Sequence, residues 1–257
     1  MIKFENITKC FADNVILDNV SGEFFDGKIN MIIGPSGTGK SVLFKSILGL
    51  INVDSGKIFF DDKEMVYSED VKNNEFKEGI GMLPQNPTLF SEKTVAENVQ
   101  FPLDILTNFR DDEKKKLVSA SLKQVGLYRC ENKYPHDLSG GMQKKVSLAR
   151  AIVHKPKYLF CDEPNSGLDP INSNKIDLLI HKISKRYNMT TVIVTHNLDS
   201  VIEIGEHILF LYKSKKLWEG NVKDIYNVNV PEFEVFLSSS KLFQKYKQSI
   251  TNKLEKF

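Results

Sequence analysis

The chain has 257 residues, 41% hydrophobic and 26% charged, the proportions of an ordinary globular protein and not of a disordered, collagen-like or disulfide-stapled one. At about 150 residues per domain this is one large domain or two small ones. Lys+Arg 35 against Asp+Glu 33 leave a net charge of +2, which argues against nucleic acid as the main partner.

Ile2 to Glu5 alternates like an edge strand, and Val15 to Leu17 is a second short apolar piece. Ile29 to Ile33 is a mostly apolar run that stops at Gly34, as a buried parallel strand does. A helix is predicted from about Gly39, with Gly49 near its end as a cap. Ser55-Gly56 is a turn before a strand at Lys57 to Phe60, and Pro84 halts a strand at Ile80 to Leu83. From about 86 to 155 the pattern turns helical, with helices at Thr94 to Val99, Asp111 to Val125 and Met142 to Val153. Strands return at Tyr158 to Cys161, Thr191 to Val194 and Ile208 to Tyr212, with a helix over Ile171 to Arg186 between the first two. Such alternation predicts an α/β core around a parallel sheet, with the helical block as an inserted subdomain.

The tail carries Phe243, Tyr246, Ile250, Leu254 and Phe257 at helical spacing, with Lys241, Lys245, Lys247, Lys253 and Lys256 against Glu255 on the other face. It reads either as a helix folded back on its own core or as a docking helix for a partner or an anionic membrane surface. Cys10, Cys130 and Cys161 are far apart and form no metal or redox pair, which suits reduced thiols. The first residues lack a signal-peptide core, and no run approaches the roughly 18 apolar residues of a membrane span. Any work at a membrane therefore calls for a separate anchor.

Gly34-Pro35-Ser36-Gly37-Thr38-Gly39-Lys40-Ser41 fits the phosphate-loop spacing, between a strand and a helix. Its glycines let successive N–H groups face inward onto phosphate oxygens, Lys40 reaches the β- and γ-phosphates, and the Ser41 hydroxyl can ligate Mg²⁺. Asp162 and Glu163 follow an apolar strand. There Asp162 can hold the metal and Glu163 can orient or deprotonate a water. Leu138-Ser139-Gly140-Gly141-Met142 puts small residues at a second helix start, an anion site without a lysine. It either binds a second anion or completes a neighbour's nucleotide site.

With these motifs in this order, the sequence resembles the ATP-binding subunit of ABC transporters over about residues 1 to 225. The resemblance implies a P-loop NTPase (RecA-like) core with an antiparallel β edge and an inserted helical subdomain. The core would cover about 1–85 and 156–225, the subdomain about 86–155, and a helical tail 226–257. Phe11 stands where the family stacks adenine, and residues 34 to 41 where it binds the phosphates of ATP. Gln85 looks like the glutamine that senses Mg²⁺, and Asp162 and Glu163 like the metal and hydrolytic carboxylates. Ser139, Gly140 and Gly141 look like the signature that meets the partner's γ-phosphate. Ser166 and Asp169 resemble the loop at the dimer contact. His196 looks like the histidine that holds the γ-phosphate and the water. Met142 departs from the family's commoner Gln.

The implied protein is an ATPase working as a homodimer with ATP and Mg²⁺, bound to a membrane permease on the cytoplasmic face of the inner membrane. Thr38, Val42, Met142 and Asp169-Pro170-Ile171 are similar to the Mla/Mce-type phospholipid transport ATPases. Partners of that branch would be an Mce-domain lipid-binding protein and a small regulator at the tail. The segment Thr94 to Leu103 sits where the family receives its permease. An importer ATPase for polar solutes such as amino acids, and a non-transport ATPase of a soluble assembly or cell-division machine, remain open. A coiled-coil DNA-repair ATPase is excluded, because Lys40 and Ser139 are too close for its long heptad insertion.

Overall fold

The chain opens with β1 (Ile2–Phe11), β2 (Asn14–Phe24) and β3 (Ile29–Ile33), then α1 (Lys40–Ile47), β4 (Ser55–Phe60) and the two-residue β5 (Lys63–Glu64). After α2 (Asn74–Glu78) and β6 (Ile80–Leu83) come α3 (Val95–Leu106), α4 (Asp111–Gln124) and α5 (Gly140–Ile152). The alternation resumes with β7 (Tyr158–Asp162), α6 (Pro170–Tyr187), β8 (Thr190–Thr195), α7 (Leu198–Ile204), β9 (His207–Tyr212) and β10 (Lys215–Asn221). Helices α8 (Pro231–Leu237) and α9 (Lys241–Leu254) follow. The computed structural model describes residues 1–67 and 74–254, apart from the side chains of 74–75 and 248–254. They form two compact units, one of Met1–Tyr67 with Val194–Phe257 and one of Ser68–Ile193.

In the first unit, β1 pairs antiparallel with β2 on one side and β4 on the other, and β5 extends β4. This is the antiparallel edge expected from the sequence. β9 runs parallel to β3, from Asn30 opposite His207 to Ile33 opposite Phe210, and β10 runs antiparallel to β9. All five β3 residues are buried, as a strand covered on both faces requires. β1 and β2 are longer than the alternation suggested. Their register slips after Phe4 and after Ile7, and each bulge breaks the two-residue period on which the sequence reading depends. Helix α1 ends in a Schellman turn, with Gly49 at φ 72° and Leu50 N–H donating to Lys45 O at 2.8 Å.

The tail joins this unit at its start. The buried Phe243 ring stacks on Tyr226 at 5.3 Å, and Ser240 Oγ donates to Asp199 Oδ1 at 2.9 Å. α9 therefore begins folded back, as one of the two expected readings required. The expected apolar face continues over the side chains of Ile250 and Leu254 and over Phe257, which with Lys253, Glu255 and Lys256 lie outside the described residues.

In the second unit, β6 and β7 pair in parallel from Ile80 opposite Tyr158 to Leu83 opposite Cys161. Helices α3, α4 and α5 pack on one another, and α5 packs on β6. A Cβ on Gly81 would lie 2.2 Å from Ala151 O, so the strand meets the helix backbone to backbone. Thr94 opens α3 with a capping box, its N–H donating to Glu97 Oε2 at 2.7 Å and its hydroxyl accepting from Glu97 N–H at 3.3 Å. The sequence pattern ended this helix at Val99, yet it runs on through Pro102 to Leu106. Proline removes one ladder donor, and the fully buried Leu103 anchors the turn beyond it. Asp169 caps α6, and Asn188, at φ 50°, ends it. Among the described residues no helix is long and apolar enough to cross a membrane.

Candidate functional site

The phosphate loop belongs to the first unit and is shaped by close backbone approach. Gly34 has φ 147°, and a Cβ there would lie 2.1 Å from Leu211 O on β9. Gly39, at φ 99°, would put its Cβ 2.5 Å from Ile16 O on β2. Only glycine fits either position. Thr38 Oγ1 donates to Pro35 O at 2.9 Å, and Lys40 Nζ donates to Gly34 O and Pro35 O, each at 2.8 Å. The lysine charge is thus held inside the curl of its own loop. Ser36, Gly37 and Ser41 are exposed, and a Cβ on Gly37 would meet nothing within 4 Å. Gly39 at the N-cap brings no side chain to the amides of the first turn of α1. Those amides are a helix's natural anion donors. An open mouth, a cation at its base and uncapped amides fit the phosphates of a nucleotide.

Phe11 closes β1 with its ring 48% exposed and Lys9 Nζ 5.3 Å from the ring centroid. Its ring is therefore available for stacking. His196, exposed, follows β8 directly.

The remaining site residues belong to the second unit. Asp162 ends β7, and Glu163 continues at φ 44°, a left-handed backbone that non-glycine residues seldom adopt and that recurs at functional sites. Gln85 is exposed just beyond β6, and its Nε2 donates to Ser166 Oγ at 3.4 Å. Ser139 is the N-cap of α5, its Oγ accepting from Met142 N–H at 3.4 Å. Ser139, Gly140 and Gly141 share a cavity of about 360 Å³ with Asp169, and Lys145 and Lys175 line it. The structure thus brings the two motifs together in one basic pocket. Asp169 also caps α6, accepting from Ile171 and Asn172 N–H at 3.1 and 3.0 Å. Bonds from Asn172, the backbone N–H first, hold its carboxyl below the usual range.

Sequence reasoning missed Lys144 and Arg150. Both lie on α5 and reach the Gln85 segment, Lys144 Nζ to Gln85 O at 2.6 Å and Arg150 to the Pro87 and Thr88 carbonyls at 3.0 Å each. A lysine two residues past Met142 carries no signal in the sequence, because helical lysines are usually solvated. Burial lowers the Lys144 pKa, and the carboxylates of Glu163 and Asp162 pull it the other way.

Metal binding has a defined limit. Among the described residues no group of three or more His, Cys, Asp or Glu could enclose an ion. The Ser41 hydroxyl and the Asp162 carboxylate are each oxygen donors of the kind Mg²⁺ takes, an ion that keeps waters and binds through one or two protein ligands plus substrate phosphates.

A phosphate loop between β3 and α1, an acidic strand end and the α/β fold define a P-loop nucleoside triphosphatase. The sequence matches the ABC transporter family over residues 17–166, and the chain belongs to that family, as an ATP-binding, ATP-hydrolysing subunit. It is 36% identical over 228 residues to the methionine import ATP-binding protein MetN of Clostridium tetani, covering 88% of this chain and 71% of that one. It is 32% identical over 241 residues to the probable ribonucleotide transport ATP-binding protein mkl of Mycobacterium leprae, covering 94% and 70%. Among solved structures it resembles cbiO1 of Clostridium perfringens, part of the cbiONQ transporter complex. The TM-score is 0.81 and the identity 31%, over 88% of this chain and 90% of that one. The dimeric cassette MJ0796 in a post-hydrolysis state with ADP and phosphate gives 0.76 and 30%, over 86% and 99%.

Proposed function

We propose that two copies of this chain pair head to tail, drive a membrane permease by ATP hydrolysis, and thereby move phospholipid. The carrying observation is a second glycine-lined helix start, at Ser139, in a chain whose phosphate loop already has its own lysine. One chain has little use for two such sites on one nucleotide, whereas a pair can close each loop with the partner's Ser139 and Gly141.

On this reading Phe11 stacks the adenine, the loop from Gly34 to Ser41 holds the phosphates, and Lys40 supplies the charge. Glu163 takes the proton of the attacking water, and His196 holds that water against the γ-phosphate. Ser41, Gln85 and Asp162 would hold Mg²⁺, Asp162 through water. When bound, the ion neutralises charge on the phosphates. Ser166 and Asp169 lie at the contact between copies. The chain would sit on the cytoplasmic face of the inner membrane, docked to its permease near Thr94 to Leu103.

Thr38, Val42, Met142 and Asp169-Pro170-Ile171 favour the phospholipid branch, with an Mce-domain protein and a small regulator as further partners. The 36% identity to a methionine import protein favours a second reading, an importer of polar solutes. Affinity purification of the tagged chain from detergent-solubilised membranes, with mass spectrometry, separates them. A multi-span permease with an Mce-domain protein is expected. A permease with a solute-binding protein would establish the importer, and recovery from the soluble fraction alone would overturn transport.

A further inference from the structure

Helix α5 grips the segment that carries Gln85. Lys144 is 4% exposed, and its ammonium donates to the Gln85 carbonyl at 2.6 Å. Arg150, six residues on, donates to Pro87 O, Thr88 O and Thr88 Oγ1 at 3.0, 3.0 and 3.2 Å. Thr88 has φ 43°, a conformation a β-branched residue rarely takes, so this turn needs an external hold. The Arg150 fork supplies it from the same helix. Lys144 also lies within electrostatic reach of Glu163 and Asp162. A buried ammonium is expensive unless its charge is matched, and here a carbonyl and two carboxylates match it. The hydrogen bond to the Gln85 carbonyl therefore joins α5 to the Gln85 segment, with the charge in electrostatic reach of the strand end.

The two ends of this linkage differ in their use. In the function proposed above, on which this inference rests, Ser139 at the start of α5 meets the partner's ATP, while Gln85 and Glu163 act on the chain's own. We infer that Lys144 is a positioning residue for hydrolysis, tying α5 to the Gln85 main chain, so that a shift of the helix is passed to the chain's own hydrolytic groups. On that reading Lys144 acts through the groups it positions. Its contribution is to the rate and not to substrate affinity.

The test compares purified full-length wild type, Lys144→Met and Lys144→Gln in steady-state ATPase assays and in binding of a fluorescent ATP analogue. Met keeps the length and loses both donor and charge, and Gln keeps a donor for the Gln85 carbonyl. Misplaced catalytic groups lower rates by one to two powers of ten, so kcat is expected to fall about tenfold in Lys144→Met and about threefold in Lys144→Gln. Affinity is expected to stay within about twofold in both. A folded Lys144→Met at the wild-type rate overturns the inference, as does an affinity that falls as far as kcat. A Gln variant no better than Met also overturns it. Should Lys144→Met not fold, Lys144→Gln decides by itself: a threefold loss at unchanged affinity supports the inference, and a wild-type rate overturns it. Glu163→Gln, assayed in parallel, separates the two layers. Full hydrolysis there removes the underlying reading of the site and this inference with it. Loss of hydrolysis there beside unaffected Lys144 variants removes the inference alone.

Discussion

Lys40 shows how a single side chain can be set in place by its own loop. Two carbonyls of its own loop hold the ammonium at 2.8 Å, so the charge needs little reorganisation when phosphates enter. Lys40→Ala removes a charged donor worth about 1.5–3 kcal/mol and is expected to weaken ATP binding by roughly ten- to a hundredfold. Isothermal titration calorimetry checks this, and unchanged affinity would mean that the loop does not bind the phosphates. This residue was legible in the sequence because glycine spacing writes the shape of the loop directly. Phe11 was only half legible, since exposure decides whether an aromatic at a strand end is core or platform. Lys144 was not legible at all. Its partner Gln85 is 59 residues away in sequence, and nothing in the lysine's neighbours distinguishes it from the exposed lysines of other helices.

At the scale of elements, the contact of α5 with β6 is where small size matters most. A methyl group on Gly81 would sit 2.2 Å from Ala151 O and 2.8 Å from the Pro156 ring. Neither neighbour is the end of a flexible side chain, so strand and helix must part. Gly81→Ala is expected to destabilise by about 1–3 kcal/mol, read as a lower thermal midpoint; an unchanged midpoint would show that α5 can lift away freely. The strands buried on both faces, β3, β7, β8 and β9, were legible as apolar runs. β10 was not, because its residues are half-buried or exposed and their pattern follows neither period. α7 has only seven residues, too few for a helical period to register. Pro102 hid the second half of α3, because a proline in sequence signals a stop that burial of Leu103 overrides.

At the scale of the whole molecule, the proposed function turns on the pairing of copies. Glu163→Gln keeps the shape of the carboxylate proposed to take the water's proton and removes its basicity, so on that proposal ATP would bind and persist. Light scattering with Mg-ATP is expected to show a stable dimer of this variant, and a monomer would sink the head-to-tail reading. The first unit, which carries the phosphate loop, is assembled from the two ends of the chain. Ile29 N–H donates to Glu206 Oε2 at 2.9 Å across 177 residues, and β3 gains its parallel neighbour β9 only at that distance. A ribosome adding about 5–20 residues per second needs roughly 10 to 35 seconds to cover the interval. For that time the nascent β3 waits as an apolar strand without its β9 edge, and the contiguous second unit, which ends at Ile193, has its last residue before β9 is made. The phosphate loop is thus among the last parts to be completed. A chain released before β9 lacks the Leu211 carbonyl against which Gly34 turns, and would be a substrate for chaperones and proteases before it could be an ATPase.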